Sequence, residues 1–278
     1  MPTNRELFFY LQKEGLPNSV ITFVLQEING FDRLLLAQNF DREIKDFDAL
    51  KIAIGRYKSG EMIEYVFNKA YFLSFPFYVN KNVLIPRQET EQLVVMAIDK
   101  IRKKFSDKKL NIADVCTGSG AIGISMAREL ANHKFFLSDI LEEAIHVANI
   151  NLERAELKNV VTWVGDMLEP FIKNKIKLDV IVCNPPYIED ITTIDQKTWK
   201  QEPHLSLLAK PETKYYEIIL KNYKKVMNED FLLCFEIGEN MEKSLTEILE
   251  IFGKKVIYSF EKDIYGKTRF LFIENSLK

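Results

Sequence analysis

Four consecutive residues of this 278-residue chain, Asn184-Pro185-Pro186-Tyr187, combine types that could do chemistry. They follow an apolar run at 178–183 that predicts a buried strand. Asn184 offers a side-chain carbonyl, Pro185 offers a main-chain carbonyl without an N–H, and Pro186 fixes φ. The pattern therefore predicts a stiff turn that presents two hydrogen-bond acceptors side by side, next to the aromatic face of Tyr187.

Two adjacent acceptors suit an NH2 group whose lone pair is delocalised, as in an amide or an aromatic amine. Holding both hydrogens aims the nitrogen and favours the pyramidal geometry that it needs to react. The positive charge that develops on nitrogen strengthens both hydrogen bonds, and Tyr187 can attract that charge by cation–π contact. We therefore predict alkyl transfer to a planar nitrogen, without a general base because the alkylated nitrogen loses its proton to water.

A glycine-rich turn lies earlier in the chain, between an apolar run at 110–116 and a predicted helix at 121–131. Glycines let the backbone approach a ligand closely, and N–H groups at a helix start face it. An acid closes the next predicted strand, nineteen residues after Gly120, where it can accept hydrogen bonds from both ribose hydroxyls. The predicted cofactor-binding residues are Cys116, Thr117, Gly118, Ser119, Gly120 and Asp139.

Two further residues follow the strand predicted at 160–165, and they extend the predicted cofactor site. Asp166 can reach the edge of an adenine with its carboxylate, while Met167 can cover the ring. The alternative is that Asp166 only caps the next turn.

The glycine spacing also matches the fingerprint of dinucleotide-binding proteins, with Gly118, Gly120 and Gly123 in the required positions. An NAD-dependent oxidoreductase is therefore an alternative. Two features disfavour it, because the last two predicted strands form an antiparallel hairpin and the sequence has no His or Tyr–Lys pair suited to hydride transfer.

Strands and helices alternate around these motifs, which predicts an α/β fold with a mostly parallel sheet and helices on both of its faces. The last two strands are separated only by 261–267, too few residues for a crossover helix, so the final strand should be antiparallel. Helices are predicted at 89–104, 121–131, 141–156, 213–227 and 239–252. Strands are predicted at 110–116, 134–138, 160–165, 178–183, 231–236, 255–260 and 268–273.

The chain before this sheet shows a different pattern. Apolar residues recur at helical spacing from residue 1 to about 75, as in Ile21, Val24 and Leu25. Two short strands at 74–79 and 83–86, around a polar turn, then predict a β-hairpin that joins two domains.

Composition narrows the class of partner. Lys+Arg of 38 against Asp+Glu of 40 gives a net charge of -2, which disfavours nucleic acid as a main or stable partner. Cys116, Cys183 and Cys234 lie far apart without neighbouring histidine pairs, so we expect no metal site. Neither a secretory signal nor an apolar run of about 18 residues is present, so we expect a cytoplasmic protein without a membrane partner.

With these motifs the chain resembles the Asn-Pro-Pro-Tyr class of methyltransferases, and more closely the bacterial release-factor glutamine methyltransferases (the HemK/PrmC family). The resemblance covers most of the chain and includes the glycine-rich turn. Its other parts are Gly60-Glu61-x-x-x-Tyr65, Val83-Leu84-Ile85-Pro86-Arg87-x-x-Thr90-Glu91, Asn184 to Tyr187, Glu202-Pro203, Leu207-Leu208-Ala209, Phe235-Glu236-Ile237-Gly238 and Asp263-x-x-Gly266-x-x-Arg269.

The resemblance implies a seven-stranded, Rossmann-like class I methyltransferase domain at 87–278, a β-hairpin linker at 76–86 and a helical substrate-recognition domain at 1–75. It implies N5-methylation of the glutamine in the Gly-Gly-Gln motif of peptide chain release factors 1 and 2. S-adenosyl-L-methionine would be the cofactor and S-adenosyl-L-homocysteine the product. The glycine-rich turn and Asp139 would bind the cofactor, with Asn184 also beside it, while Asn184, Pro185, Pro186 and Tyr187 would be catalytic. We expect a monomer.

The segment Pro86-Arg87-x-x-Thr90-Glu91 precedes the helix predicted at 89–104, which should lie over the cofactor. We expect Thr90 and Glu91 to close the active site and Arg87 to anchor the loop, although an ordinary helix start explains the same residues. Cys116 departs from the glycine that the family often has, and we expect its side chain to be tolerated only if φ there is negative. An adenine-N6 methyltransferase of RNA or DNA, or a ribosomal-protein glutamine methyltransferase, would present a similar loop.

Overall fold

The computed structural model describes residues 1–106, 108–252 and 256–275. Within them the chain forms two compact units, Met1–Lys69 and Ala70–Lys278. No helix in this described part is both long and apolar enough to cross a membrane. The two units are described separately below.

The first unit is helical, and the apolar spacing in its sequence marks the side that is buried. Ile21, Val24 and Leu25 are fully buried on one face of the second helix. A buried polar contact supplements this core, because Asn29 Nδ2 donates to Asn4 Oδ1 at 2.9 Å. The helices are α1 (Asn4–Lys13), α2 (Asn18–Asn29), α3 (Arg33–Gln38), α4 (Phe47–Lys58) and α5 (Ile63–Val66).

The second unit begins with a β-hairpin, formed by β1 (Ala70–Phe72) and β2 (Phe75–Phe77). The hairpin therefore starts earlier than the predicted strands at 74–79 and 83–86, and the helical pattern predicted to residue 75 is wrong over β1. Its two-residue turn places Leu73 and Ser74 at φ of +47° and +63°. Such a turn favours asparagine and glycine, so the sequence carried no signal for it.

The predicted strand at 83–86 is absent, and the hairpin does not lie at 76–86. Instead Asn80 forms a local turn, in which its Oδ1 accepts from Asn82 N at 2.9 Å. The segment after it is held by a side chain, because Ile85 N donates to Glu202 Oε1 at 3.1 Å rather than to a neighbouring strand.

The remainder of the second unit alternates strands and helices, as the sequence predicts. A short helix at Glu169–Lys173 and another at Gln196–Gln201 were not predicted. The strands are β3 (Asn111–Val115), β4 (Lys134–Asp139), β5 (Val160–Val164), β6 (Leu178–Cys183), β7 (Met227–Glu236), β8 (Val256–Lys262) and β9 (Thr268–Asn275). The helices are α6 (Gln88–Phe105), α7 (Ala121–Glu129), α8 (Glu142–Arg154), α9 (Glu169–Lys173), α10 (Gln196–Gln201), α11 (Lys214–Val226) and α12 (Glu242–Phe252).

These strands form one seven-stranded sheet in the order β5-β4-β3-β6-β7-β9-β8. The first five in this order are parallel, and β9 is antiparallel to both β7 and β8, which confirms the predicted antiparallel last strand. The chain leaves β3 toward β4 on one side and returns to β6 on the other. The carboxyl ends of β3 and β6 therefore mark the point where the strand order reverses, which is where open α/β sheets bind ligands.

Both faces of the sheet are buried, as expected for parallel strands. Alternate residues of β6 belong to opposite cores, with Val180 and Val182 on the face covered by α6 and α7. Ile181 and Cys183 belong to the core on the other face, with α9, α11 and α12. The two cores make the sheet a rigid frame for whatever its strand ends carry.

A single buried side chain attaches the segment after the hairpin to this frame. Asn151 on α8 is fully buried, and its Oδ1 accepts from Tyr78 N at 2.6 Å. Its Nδ2 donates to the carbonyl oxygens of Tyr78 at 2.9 Å and of Ser119, in the glycine-rich turn, at 2.8 Å. One amide therefore satisfies three main-chain groups from two distant segments.

Asn151→Ala should lower the free energy of unfolding of the second unit by about 3 kcal/mol, because it leaves several buried main-chain groups without partners. Urea unfolding followed by tryptophan fluorescence measures this, since Trp163 and Trp199 both lie in that unit. Asn222→Ala is the matched control, because Asn222 Nδ2 bonds only within its own helix, to Ile218 O, and should cost less than about 1 kcal/mol. Equal losses in the two variants would contradict this account of Asn151.

Candidate active site

The pairing register aligns the carboxyl ends of five parallel strands. Val115 on β3 pairs with Ser138 on β4 and with Cys183 on β6, and Cys183 in turn pairs with Phe235 on β7. On β4 the pairing continues from Asp139 to Val164 on β5. The register therefore brings the following residues into one row across the sheet: Val164, Asp139, Cys116, Asn184 and Glu236.

A cleft opens above Asp139, Cys116 and Asn184 in this row, and we call it the first cleft. Polar groups at its base are few, and aliphatic side chains such as Ile140 and Leu141 form its walls. Such a combination is typical of small-molecule sites. Seven of the residues predicted from the sequence line it, namely Cys116, Gly118, Asp139, Asp166, Met167, Asn184 and Pro186.

Asp139 is bound to the main chain on both of its oxygens. Oδ2 accepts from Gly118 N at 2.9 Å and Oδ1 accepts from Leu141 N at 3.1 Å. Burial raises the pKa of Asp139, while these main-chain hydrogen bonds oppose the rise. Each carboxylate oxygen has a further lone pair, so the side chain can accept from a ligand as well.

The other members of the glycine-rich turn shape it and do not line the first cleft. Gly120 has a φ of +83°, and a Cβ there would lie 2.8 Å from Ile124 Cδ1, so only glycine fits. Thr117 is buried and its hydroxyl donates to Asp114 Oδ2 at 2.5 Å. Ser119 is also buried, with its carbonyl bound to Asn151. The predicted roles of Thr117, Ser119 and Gly120 would thus be indirect.

The expectation that Cys116 needs a negative φ is wrong, because its φ is +60°. A side chain in this left-handed region costs about 1–2 kcal/mol. The unbranched thiol is accommodated because its Sγ lies 3.7 Å from Met167 Sδ, and Met167 itself has a φ of +46°. Two strained residues therefore face each other across the base of the first cleft, and backbone strain of this kind is concentrated at functional sites.

A second cleft lies next to the first. It is lined by Arg87, Pro185, Tyr187 and Thr198, and by the buried end of β7 at Glu236. Residues that line both clefts are Leu84, Asn184, Pro186 and Ser206. The Asn-Pro-Pro-Tyr turn therefore forms the corner at which the two clefts meet.

A chain of hydrogen bonds holds the side chain of Asn184 at this corner. Its Nδ2 donates to Thr90 Oγ1 at 3.2 Å, and the Thr90 hydroxyl donates to Glu236 Oε2 at 2.6 Å. The Tyr187 hydroxyl donates to the other oxygen of Glu236, Oε1, at 3.3 Å. Thr90 and Glu236 are buried, and Asn184 and Tyr187 are half-buried, so this network lies at the inner wall of the second cleft.

Arg87, the predicted anchor of the loop, has an ion-pair partner in the structure. Arg87 forms a short ion pair with Glu202, whose side chain is buried and whose other oxygen accepts from Ile85 N. Glu91 is placed elsewhere, because its carboxylate accepts from Leu73 N at 2.9 Å and lines a separate groove beside the β1–β2 turn. Of the two residues predicted to close the site, the structure brings Thr90 to the corner and leaves Glu91 outside it, while Arg87, the predicted anchor of the loop, lines the second cleft.

Comparison with known proteins identifies the family. Residues 92–202 match the family model described as "Methyltransferase small domain". A release factor glutamine methyltransferase of Bacillus cereus is 33% identical over 95% of this chain and 95% of its own length. One of Mycoplasma mycoides is 34% identical over 94% of each chain. The chain belongs to the release factor glutamine methyltransferase family.

Membership of this family decides against the NAD-dependent oxidoreductase, and it implies S-adenosylmethionine as the methyl donor. The fold has wider relatives among solved structures. The catalytic domain of human METTL16, crystallised with the MAT2A 3′UTR hairpin 6, is similar with a TM-score of 0.55, at 16% identity over 84% of each chain. At that identity the likeness shows the fold alone.

Sequence reasoning assigned no role to three buried acids of this unit, one beside the glycine-rich turn and two near the corner. Asp114, Glu202 and Glu236 are each buried, and each accepts hydrogen bonds from residues of the site. The segments around Glu202 and Glu236 were part of the resemblance, but no role had been derived for their side chains. A charged residue at the end of an apolar run, as Glu236 is after 231–235, is a signal that could have found one of them.

Asp114 gives this site a measurable pH dependence. Burial raises its pKa from an ordinary 3.8 to about 7, although its Oδ2 accepts from Thr117 Oγ1 and from Gly123 N. Its Oδ1 has no hydrogen-bond partner among the described residues. The folded protein therefore keeps a proton on Asp114 at pH values where the unfolded chain has lost it.

The contribution of Asp114 to the free energy of unfolding should be largest below pH 4. It should fall as the pH rises from there to about 7, and it should not change further at higher pH. In urea unfolding between pH 4 and 8, Asp114→Asn should remove a slope of up to about 1.4 kcal/mol per pH unit relative to the wild type. The other buried acids are present in both proteins, so their effects on stability cancel when the two stability curves are subtracted. Parallel stability curves for the two proteins would show that Asp114 is ionised in the fold.

Proposed function

We propose that this protein transfers a methyl group from S-adenosyl-L-methionine to the side-chain amide N5 of the glutamine in the Gly-Gly-Gln motif of peptide chain release factors. Family membership supports this substrate, because the relatives that match over nearly their whole length are release factor glutamine methyltransferases. The observation that carries the proposal is the meeting of two clefts at Asn184, one suited to a nucleoside and one open to a side chain.

The first cleft fits the methyl donor. Asp139 has unused lone pairs for ribose hydroxyls, the main chain at Gly118 can approach closely, and Met167 with Ile140 offers apolar surface to a purine. We assign Asp166 to the adenine edge, where it lines the same cleft. When bound, S-adenosylmethionine supplies an electrophilic methyl group on a sulfonium ion, and S-adenosyl-L-homocysteine is the product.

The corner fits the acceptor amide. Because Nδ2 of Asn184 is taken by Thr90, its Oδ1 is the atom left to accept a hydrogen from a substrate NH2. The carbonyl of Pro185, which lines the second cleft, can accept the other hydrogen. Both bonds strengthen as positive charge develops on the nitrogen, so the pair stabilises the transition state more than the ground state.

Tyr187 completes the acceptor site. It lines the second cleft, and its hydroxyl is held by Glu236, so its ring orientation is fixed. Burial raises the pKa of Tyr187, which keeps the phenol neutral. A neutral, oriented ring can pack on a flat amide and attract positive charge by cation–π contact. Arg87 and its partner Glu202 fix the loop that borders the same cleft.

The remaining proposals concern substrate recognition, the choice of partner and the oligomeric state, and they rest on what is expected of the family. We propose that the helical unit Met1–Lys69 recognises the release factor, which would be release factor 1, release factor 2 or both. The net charge of -2 supports a protein substrate over a nucleic acid. We further propose that the protein acts as a cytoplasmic monomer, and the hairpin of the second unit would be the start of the catalytic domain rather than a free linker.

The direct test is mass spectrometry of purified release factors incubated with the protein and S-adenosylmethionine. The Gly-Gly-Gln peptide should gain the mass of one methyl group, whereas ribosomal protein, tRNA, rRNA and DNA should gain none.

Asn184→Ala should retain the fold but lower kcat about 10²–10³-fold, the scale for loss of one preorganised transition-state contact. Wild-type turnover by this variant would contradict the acceptor assignment, and methylated nucleic acid would point to the adenine-N6 alternative.

Cofactor binding tests Asp139 separately. Asp139→Ala should raise the Kd for S-adenosylmethionine about 10–100-fold, because each lost charge-assisted hydrogen bond is worth about 1.5–3 kcal/mol. Isothermal titration calorimetry without release factor measures this value. Asp99→Ala removes an exposed acid that pairs with Lys103 on the surface of α6, and it should leave the Kd unchanged. An unaltered Kd in Asp139→Ala would remove Asp139 from the cofactor site.

A further inference from the structure

The buried Glu236 lies at the inner wall of the second cleft, and its carboxylate binds two side chains that flank the acceptor corner, Thr90 and Tyr187. Glu236 is the last residue of β7 and is 3% exposed. Its Oε2 accepts from Thr90 and its Oε1 from Tyr187, and its main-chain oxygen accepts from the fully buried Tyr216 at 2.7 Å. The end of β7 is therefore fixed on its main chain and on both side-chain oxygens.

The direction of these hydrogen bonds determines which way the Asn184 amide points. An ionised carboxylate can only accept, so the single hydrogen of the Thr90 hydroxyl goes to Glu236. The Thr90 oxygen then has only lone pairs to offer on its other side, and only the NH2 end of Asn184 can face them. The carbonyl end of Asn184 must consequently point away from Thr90, as the acceptor chemistry requires.

We propose that ionised Glu236 is a positioning residue for methyl transfer, which acts through Thr90 to hold the Asn184 side chain with its carbonyl oxygen toward the acceptor nitrogen. This role rests on the proposed function of Asn184 in binding the substrate amide. Protonation of Glu236 allows the opposite direction for the hydrogen bonds between Glu236, Thr90 and Asn184. A protonated Glu236 can donate to Thr90, whose hydroxyl can then donate to Asn184 Oδ1 and present the NH2 end to a substrate that is itself a donor.

The surroundings of Glu236 shift this proton equilibrium toward the protonated form. Burial raises the pKa of Glu236, while the hydrogen bonds from Thr90 and Tyr187 and the positive charge of Arg269 on β9 oppose the rise. The carboxylate of Glu89, on α6, adds to the rise. Tyr216, a further titratable neighbour, has its own pKa raised by burial and stays neutral, and Arg87 lines the same cleft as Glu236. The ionised form should therefore gain population as pH increases, and with it the productive orientation of Asn184.

Steady-state kinetics on release factor test the hydroxyl link. Thr90→Val keeps the shape of the side chain and removes the hydroxyl, so kcat should fall roughly ten- to a hundredfold with little change in the KM for S-adenosylmethionine. Thr90→Ser restores the hydroxyl and should stay within about threefold of the wild type. Thr162→Val is the matched control, because Thr162 donates to Asn149 Oδ1 at 2.8 Å near the far edge of the sheet and should leave kcat unchanged.

Two further readouts separate positioning from general damage to the fold. In the wild type kcat should rise with pH as Glu236 ionises, and this acidic limb should be absent in Thr90→Val. In an Asn184→Ala background, Thr90→Val should cause no further loss of kcat, because residues that act through one another are not additive. A retained acidic limb, or full additivity of the two losses, would overturn the proposal.

The amide orientation can also be followed without any substrate. In protein selectively labelled with ¹⁵N-asparagine, the side-chain NH2 signal assigned to Asn184 through the Asn184→Ala variant should shift as Glu236 titrates, and it should not do so in Thr90→Val. An Asn184 signal that is independent of pH in the wild type would refute the link even if methylation of release factor is observed. A wild type that shows the titration but does not methylate release factor would instead refute the proposed function alone.

Discussion

The register of the parallel strands is the constraint on which the site depends. Because Val115 pairs with both Ser138 and Cys183, the residues that follow β3, β4 and β6 leave the sheet side by side. Side chains along a strand alternate between its two faces, so a slip of one residue would exchange the buried sets of both cores. The hydrophobic cores therefore fix the register that places Asp139, Cys116 and Asn184 side by side.

Segments outside the sheet are joined to this row by buried polar side chains. Asn151 holds Tyr78, Glu202 holds Ile85 and Arg87, and Glu236 holds Thr90. A neutral hydrogen bond of this kind contributes only about 1 kcal/mol net and a charge-assisted one about 1.5–3 kcal/mol, but an unmade bond costs the desolvation of a buried group. The 78–90 stretch, which has no strand of its own, is thereby confined to one path over the clefts. Specific polar contacts replace the regular ladder where the chain must remain close to ligands.

The sequence could predict those features of the fold and the site that depend on residues close together in the chain. Asn184 to Tyr187, the glycine-rich turn and Asp139 were found because strand, turn and chemistry lie within a few consecutive residues. The partners Thr90 and Glu236 are 146 residues apart, and no local pattern pairs them. The left-handed φ of Cys116 and the Leu73-Ser74 turn were missed for another reason. There the packing of a sulfur and of a hairpin overrides the preference of the residue for a negative φ.

The acceptor corner also explains why fold and chemistry separate in this architecture. A solved methyltransferase domain with 16% identity shares the sheet, so the sheet by itself does not specify an acceptor. In the proposed mechanism the acceptor nitrogen contacts the amide of Asn184, and the orientation of that amide depends on the hydrogens that Asn184, Thr90 and Glu236 can share. With an ionised carboxylate at the end of β7, the network has one consistent arrangement, and it leaves a carbonyl oxygen at the corner. In the proposed mechanism, an ionised Glu236 is therefore the feature that directs a hydrogen-bond acceptor toward the substrate, even though a buried charge would weaken a purely structural core.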